Sequence, residues 1–112
     1  MPTDSREPFR LEERRARGRT ILTIHGELDL ATVDSVRARL DALRATREAV
    51  VLDLDQLDFM DSTGIRMILQ AAQDGAGTGW EFAITHGSFA VRRVFAAARI
   101  EDRLPYAVAE EP

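Results

Sequence analysis

The sequence contains neither cysteine nor lysine. Without cysteine, disulfides, thiolate metal sites and cysteine nucleophiles are excluded. All fifteen basic residues are arginine. Codon bias in a GC-rich genome accounts for that, and it removes every lysine-dependent mechanism. No apolar run approaches the ~20 residues that a membrane span needs. Met1 to Arg19 alternates charge with little hydrophobicity, unlike a signal peptide. These absences fit a cytoplasmic protein with no direct membrane insertion. The basic residues are scattered along a chain of net charge −4. That is not the concentrated basic footprint of a nucleic-acid binder, so no nucleic acid is expected as partner.

What is present is ordinary for a globular domain, with 45% apolar and 30% charged residues in 112. That length suits one domain with a real core. Residues 1–8, with Pro2 and Pro8, are expected to form a flexible N-terminus, and 109–112 a flexible C-terminus, around a domain of 9–108. Phe9 to Glu13 alternates weakly, as in an edge strand, and Arg14 to Gly18 suggests a charged turn. Thr20 to His25 is β-branched and bounded by Gly26, a good strand. Glu27-Leu28-Asp29 makes a polar connection into a helix over about 31–46, with Val33, Val36, Leu40 and Leu43 at helical spacing. Ala49 to Leu54 is nearly all apolar, the pattern of a strand buried on both faces.

A second helix is expected over Ser62 to Asp74, ended by the glycines at 75, 77 and 79. Trp80 to Thr85 is a further strand, Ser88 to Ala98 a third helix, and Leu104 to Val108 a short final strand. The order β-β-α-β-α-β-α-(β) predicts an α/β fold, a mixed central sheet of four to five strands with helices packed against it.

Several candidate sites do not survive inspection. Val50 to Asp55 resembles the phosphoacceptor strand of a receiver domain. The earlier strand, however, ends Ile24-His25-Gly26, without the acidic residues that hold Mg²⁺, and no lysine exists to read a phosphate. Asp53 and Asp55 are therefore expected as strand-end and turn residues. The glycines at 75, 77 and 79 follow a helix and open a strand, the reverse of a phosphate cradle. His25 and His86 lack Glu, Asp or His at metal-ligand spacing, and each is expected at or just past a strand end. No nucleophile–base pair is visible locally. No catalytic residue, metal or cofactor is expected.

One segment remains, Phe59-Met60-Asp61-Ser62-Thr63-Gly64-Ile65. Asp61 is a preferred helix N-cap residue. Gly64 in the first helical turn costs about 1 kcal/mol against alanine, and a small residue there would let another protein's backbone come close. This segment resembles the signature of STAS domains, specifically the bacterial anti-sigma factor antagonists. Gly26-Glu27-Leu28-Asp29 is similar to the Gly-Glu-Leu-Asp motif of that family, and Ala90-Val91-Arg92-Arg93-Val94-Phe95 to its third-helix segment. The matches run in order from about Phe9 to Tyr106.

The resemblance implies partner switching. Unphosphorylated members bind an ATP-dependent serine kinase that doubles as an anti-sigma factor, freeing the sigma factor. Phosphorylation at the serine matching Ser62 breaks the association, and a phosphatase restores it. Asp29, Asp61, Ser62, Thr63 and Gly64 would line the contact. The exposed face of the second helix, with Arg66 and Met67, would extend it. Such proteins serve stress responses and sporulation.

Arg66 and Gln70 stand where relatives often carry smaller residues, which suggests a different partner surface. Phe89 and Arg99 replace a frequent proline and a small residue, and are expected to affect packing only. A C-terminal helix common in relatives is expected to be absent or frayed. Two other readings share the fold: a STAS subunit regulating a membrane transporter ATPase, and a scaffold component of a multi-STAS signalling assembly.

Overall fold

A computed structural model describes residues 8–107. The chain opens with an antiparallel hairpin, β1 (Arg10–Ala16) and β2 (Arg19–Leu28). β1 therefore runs through the Arg14–Ala16 stretch expected to turn. The turn itself is only Arg17-Gly18, both at positive φ (55° and 78°). Two such residues form the turn whose twist matches paired strands, which fixes the register Ala16↔Arg19. β1 is a charged edge strand. β2 is buried nearly throughout and extends through Glu27 and Leu28, which were expected to form a connection.

Helix α1 (Val33–Ala45) buries Val33, Val36, Leu40 and Leu43, the stripe that helical spacing predicts. Strand β3 (Val50–Asp53) follows and pairs parallel to the first half of β2, Thr20↔Val50 to Thr23↔Asp53. An unexpected strand comes next. β4 (Leu57–Met60) pairs parallel to the far end of β2, Gly26↔Leu57 and Leu28↔Met60, with a register shift after Gly26. β2 thus has two successive neighbours along one strand. Helix α2 (Ser62–Thr78), strand β5 (Phe82–Ile84) and helix α3 (Phe89–Ala98) complete the order. β5 pairs parallel to β3, so the mixed sheet has five strands, β1-β2-β3-β5 with β4 on β2.

α2 continues past the point where glycines were expected to end it. Gly75 lies inside the helix and is buried; a Cβ there would stand 2.9 Å from the Trp80 carbonyl and 3.4 Å from Phe82 Cβ. Its glycine permits close packing of helix on chain, and Gly79, at φ 76°, is the cap. The expected strand over Leu104–Val108 reduces to one bridge, Ile84↔Tyr106, after a 3-10 turn at Glu101–Arg103. Val108, most of the expected flexible N-terminus, the whole of the C-terminal tail and any C-terminal helix lie outside the described residues.

The core joins both ends of the sheet, from Leu22, Ile24 and Leu28 through Leu52 and Ile84 to Ile68 and Phe95. Trp80 stacks on Phe82 at 5.2 Å and donates its indole N–H to the Glu48 carbonyl at 2.7 Å. α1 and α2 contact one another, whereas α3 lies against β4. Because β2 to β5 run parallel, the segments after them open at one edge, and all three helices begin there.

Candidate functional site

The site is built where β2 and β4 end side by side. Leu28 pairs with Met60, and the Asp61 N–H donates to the Leu28 carbonyl at 3.2 Å. Two residues beyond each paired end lie Leu30 and Ser62, so the β2–α1 loop and the first turn of α2 are neighbours. Asp61 is the N-cap of α2, in extended backbone, and its Oδ1 accepts from the Thr63 N–H at 2.9 Å and the Gly64 N–H at 3.4 Å. These bonds satisfy helix donors that would otherwise have no partner. The Thr63 hydroxyl also donates to it at 2.5 Å. That hydroxyl is the main reason the Asp61 carboxyl is held below its ordinary range. Burial opposes the effect, while the backbone N–H groups of Thr63, Gly64 and Leu30 add to it.

Ser62 is the first residue of α2 and is exposed. Its hydroxyl stands in solvent at a helix N-terminus, beside a carboxylate that already caps the helix. Arg66, one turn further, is exposed on the same face.

Other expected site residues sit differently. Met67 is only 4% exposed and belongs to the core, so it cannot extend an exposed face as expected. Residues three and four apart share a helix face, and Met67 follows Gly64, not Ser62, onto the inner one. Gly64 is buried too. A Cβ there would stand 2.7 Å from Met60 Cγ and 3.0 Å from Leu28 Cγ and Cδ2. The space expected to receive a partner's backbone is filled by the chain's own β2 and β4. Asp29 is half-buried and occupied locally: its Oδ1 accepts from Ala31 N–H at 3.0 Å, and its own N–H donates to Thr32 Oγ1 at 3.0 Å. The Thr32 hydroxyl in turn donates to the Glu27 carbonyl at 2.8 Å. Asp29 thus shapes the loop that stands beside Ser62.

Asp53 and Asp55 are engaged within the chain, one across paired strands and the other to a loop. Asp53 accepts from Thr23 Oγ1 at 3.2 Å, and Asp55 from the Gly87 N–H at 3.0 Å. His25 is not at a strand end; it lies within β2, 7% exposed, with Nε2 2.5 Å from Glu12 Oε1 across the hairpin. The pairing of β1 with β2 made that contact, which no local spacing could reveal. His86 stacks on Tyr106 at 4.2 Å. Phe89, expected to affect only packing, is 69% exposed with the Arg93 guanidinium over its ring at 5.7 Å, and Arg99 caps α3 at φ 58°. Leu30, which the sequence did not single out, is 76% exposed. Among the described residues no cluster of three or more His, Asp or Glu side chains could hold a metal, and no helix is long and apolar enough to cross a membrane.

Comparison with known proteins agrees with this geometry. Residues 10–110 match the family model of the STAS domain. An anti-sigma F factor antagonist of Paenibacillus polymyxa is 42% identical over 63 residues, which cover 54% of each chain. The chain thus spans about half the length of that relative. Among solved structures, an anti-sigma factor antagonist from Mycobacterium paratuberculosis superposes with a TM-score of 0.75 at 22% identity, covering 90% of this chain and 87% of that one. The Bacillus cell fate determinant SpoIIAA in its phosphorylated form gives 0.66 at 23% identity, covering 93% of each. With the family model matched along nearly the whole chain, and the fold shared with these structures, this chain belongs to the STAS domain family.

Proposed function

We propose that this chain is an anti-sigma factor antagonist controlled by phosphorylation of Ser62. The observation that carries the reading is the exposed Ser62 hydroxyl at the first position of α2, beside the capping Asp61 carboxylate. The similarity to proteins named anti-sigma factor antagonists supports it, as does a structural relative solved in a phosphorylated form. The unphosphorylated chain binds an ATP-dependent serine kinase that also restrains a sigma factor, and so releases that factor. The kinase transfers a phosphoryl group to Ser62, and a phosphatase removes it. Ser62 is acted on by its partner; ATP belongs to the kinase, and this chain needs no cofactor.

The physics of the turn fits both states. Free N–H groups and the helix dipole tolerate an anion at the α2 N-terminus, so phosphorylation leaves the fold intact. The added charge of about −1.5 to −2 stands next to Asp61, on a surface that must lose water to dock. Each ~1.4 kcal/mol lost there weakens binding tenfold. The test is to incubate the chain with the co-purified kinase and Mg-ATP. Mass spectrometry should find one phosphate, on Ser62, and none on Ser62→Ala. A phosphate on Thr63 or elsewhere, or none at all, would contradict the reading.

A further inference from the structure

Three large apolar side chains are exposed among the described residues: Leu30 (76%), Phe59 (42%) and Phe89 (69%). Single exposed leucines need no explanation in general. These three, however, stand at or near one edge of the sheet, where the parallel strands end. Phe59 is on β4, Phe89 opens α3, and Leu30 follows the last paired residue of β2. Phe89 is partly covered by Arg93. Leu30 is the most exposed of the three, and it is held next to Ser62.

Its exposure is built rather than loose. The loop before and after it is braced by Asp29 Oδ1 on the Ala31 N–H, by the Val33 N–H on the Asp29 carbonyl at 2.8 Å, and by Thr32 Oγ1 on the Glu27 carbonyl. The Asp61 N–H on the Leu28 carbonyl ties this loop to the switch turn. Because its backbone is already ordered by these bonds, Leu30 has no loop-ordering cost to meet when it is covered, which favours docking.

We infer that Leu30 is the apolar anchor by which this chain docks the kinase that acts on Ser62, entering an apolar socket beside that enzyme's nucleotide site. The inference rests on the function proposed above and adds the contact that would supply its affinity. A kinase must bring its nucleotide to Ser62, and Leu30 stands two residues past the end of β2 that pairs with the strand leading into Ser62, within the surface such an approach occupies. Buried apolar anchors ringed by weaker contacts carry most of the affinity in such interfaces. Ser62 can then act as a switch without itself being the main source of binding.

The test uses the whole chain and the purified kinase that phosphorylates Ser62. Calorimetry should show Leu30→Ser binding at least tenfold more weakly than wild type and Leu30→Met within threefold, with unchanged circular dichroism. For phosphoryl transfer, kcat/KM should fall by the same factor while kcat stays within twofold, the pattern of lost uniform binding. A loss below tenfold in Leu30→Ser, with wild type bound and modified at Ser62, would overturn the role of Leu30 alone. If wild type were neither bound nor modified, the proposed function itself would fail, and this inference with it.

Discussion

At Asp61, one carboxylate oxygen accepts from the Thr63 hydroxyl and from the N–H groups of Thr63 and Gly64. Asp61→Ala leaves those donors without a partner and should cost about 1–2 kcal/mol, a fall of ~5–10 °C in melting temperature. The Thr63 hydroxyl also holds this carboxyl below its ordinary value of 3.8. A lowered folded-state pKa gives stability that is present above the unfolded value and lost as pH falls through the folded one. Urea titrations should therefore separate wild type from Asp61→Asn at neutral pH and converge below about pH 4. A gap that persisted in acid would contradict this. Gly64 is a second residue-scale test. Helix propensity favours Gly64→Ala by about 1 kcal/mol, but the new Cβ would meet Met60 and Leu28. Overpacking of about 1–3 kcal/mol should prevail. Calorimetric melting should fall; a rise would show that the side chains yield easily.

At the scale of elements, the first turn of α2 holds no acidic residue beyond its cap. Ser62→Glu adds a favourable charge to the helix N-terminus, worth about 0.3–1 kcal/mol, and places a carboxylate one turn before Arg66 for ~0.2–0.5 more. Repulsion from Asp61 offsets part of that gain. The variant should melt within a few degrees of wild type or above it, and a clear fall would mean that an anion at Ser62 damages the fold. β4 offers a contrasting case: Met60 is 1% exposed, and Met60→Ala should cost about 2–5 kcal/mol in denaturant titration.

These same elements explain what the sequence disclosed. Val33, Val36, Leu40 and Leu43 announced α1 because burial follows helical spacing, and Val50 to Leu52 announced β3 because both faces are covered. β4 was illegible because Leu57 and Met60 are buried while Asp58 and Phe59 between them are exposed, without the alternation of a half-buried strand. Arg14 and Arg15 masked the end of β1, which pays no penalty for charge at a solvent edge. Gly75 was misread because its meaning lies in Trp80 and Phe82, five and seven residues away.

For the whole molecule, one antiparallel and three parallel strand pairings build the sheet, bring β2 and β4 to a common end and set Ser62 beside the β2–α1 loop. The serine and its cap could be located from local sequence, since N-cap chemistry is local. The inward turn of Gly64 and Met67, the self-engaged Asp29 and the exposure of Leu30 could not, because each depends on what the sheet places opposite. Under the function proposed above, phosphorylation of Ser62 changes what binds and not how the chain folds. The most direct measurement is the Kd of the cognate kinase for the unphosphorylated chain and for the chain stoichiometrically phosphorylated on Ser62, each with its circular dichroism spectrum. Phosphorylation should weaken binding by at least tenfold with the spectrum unchanged. Equal affinities, or a loss of affinity accompanied by loss of the native spectrum, would contradict a switch built on Ser62.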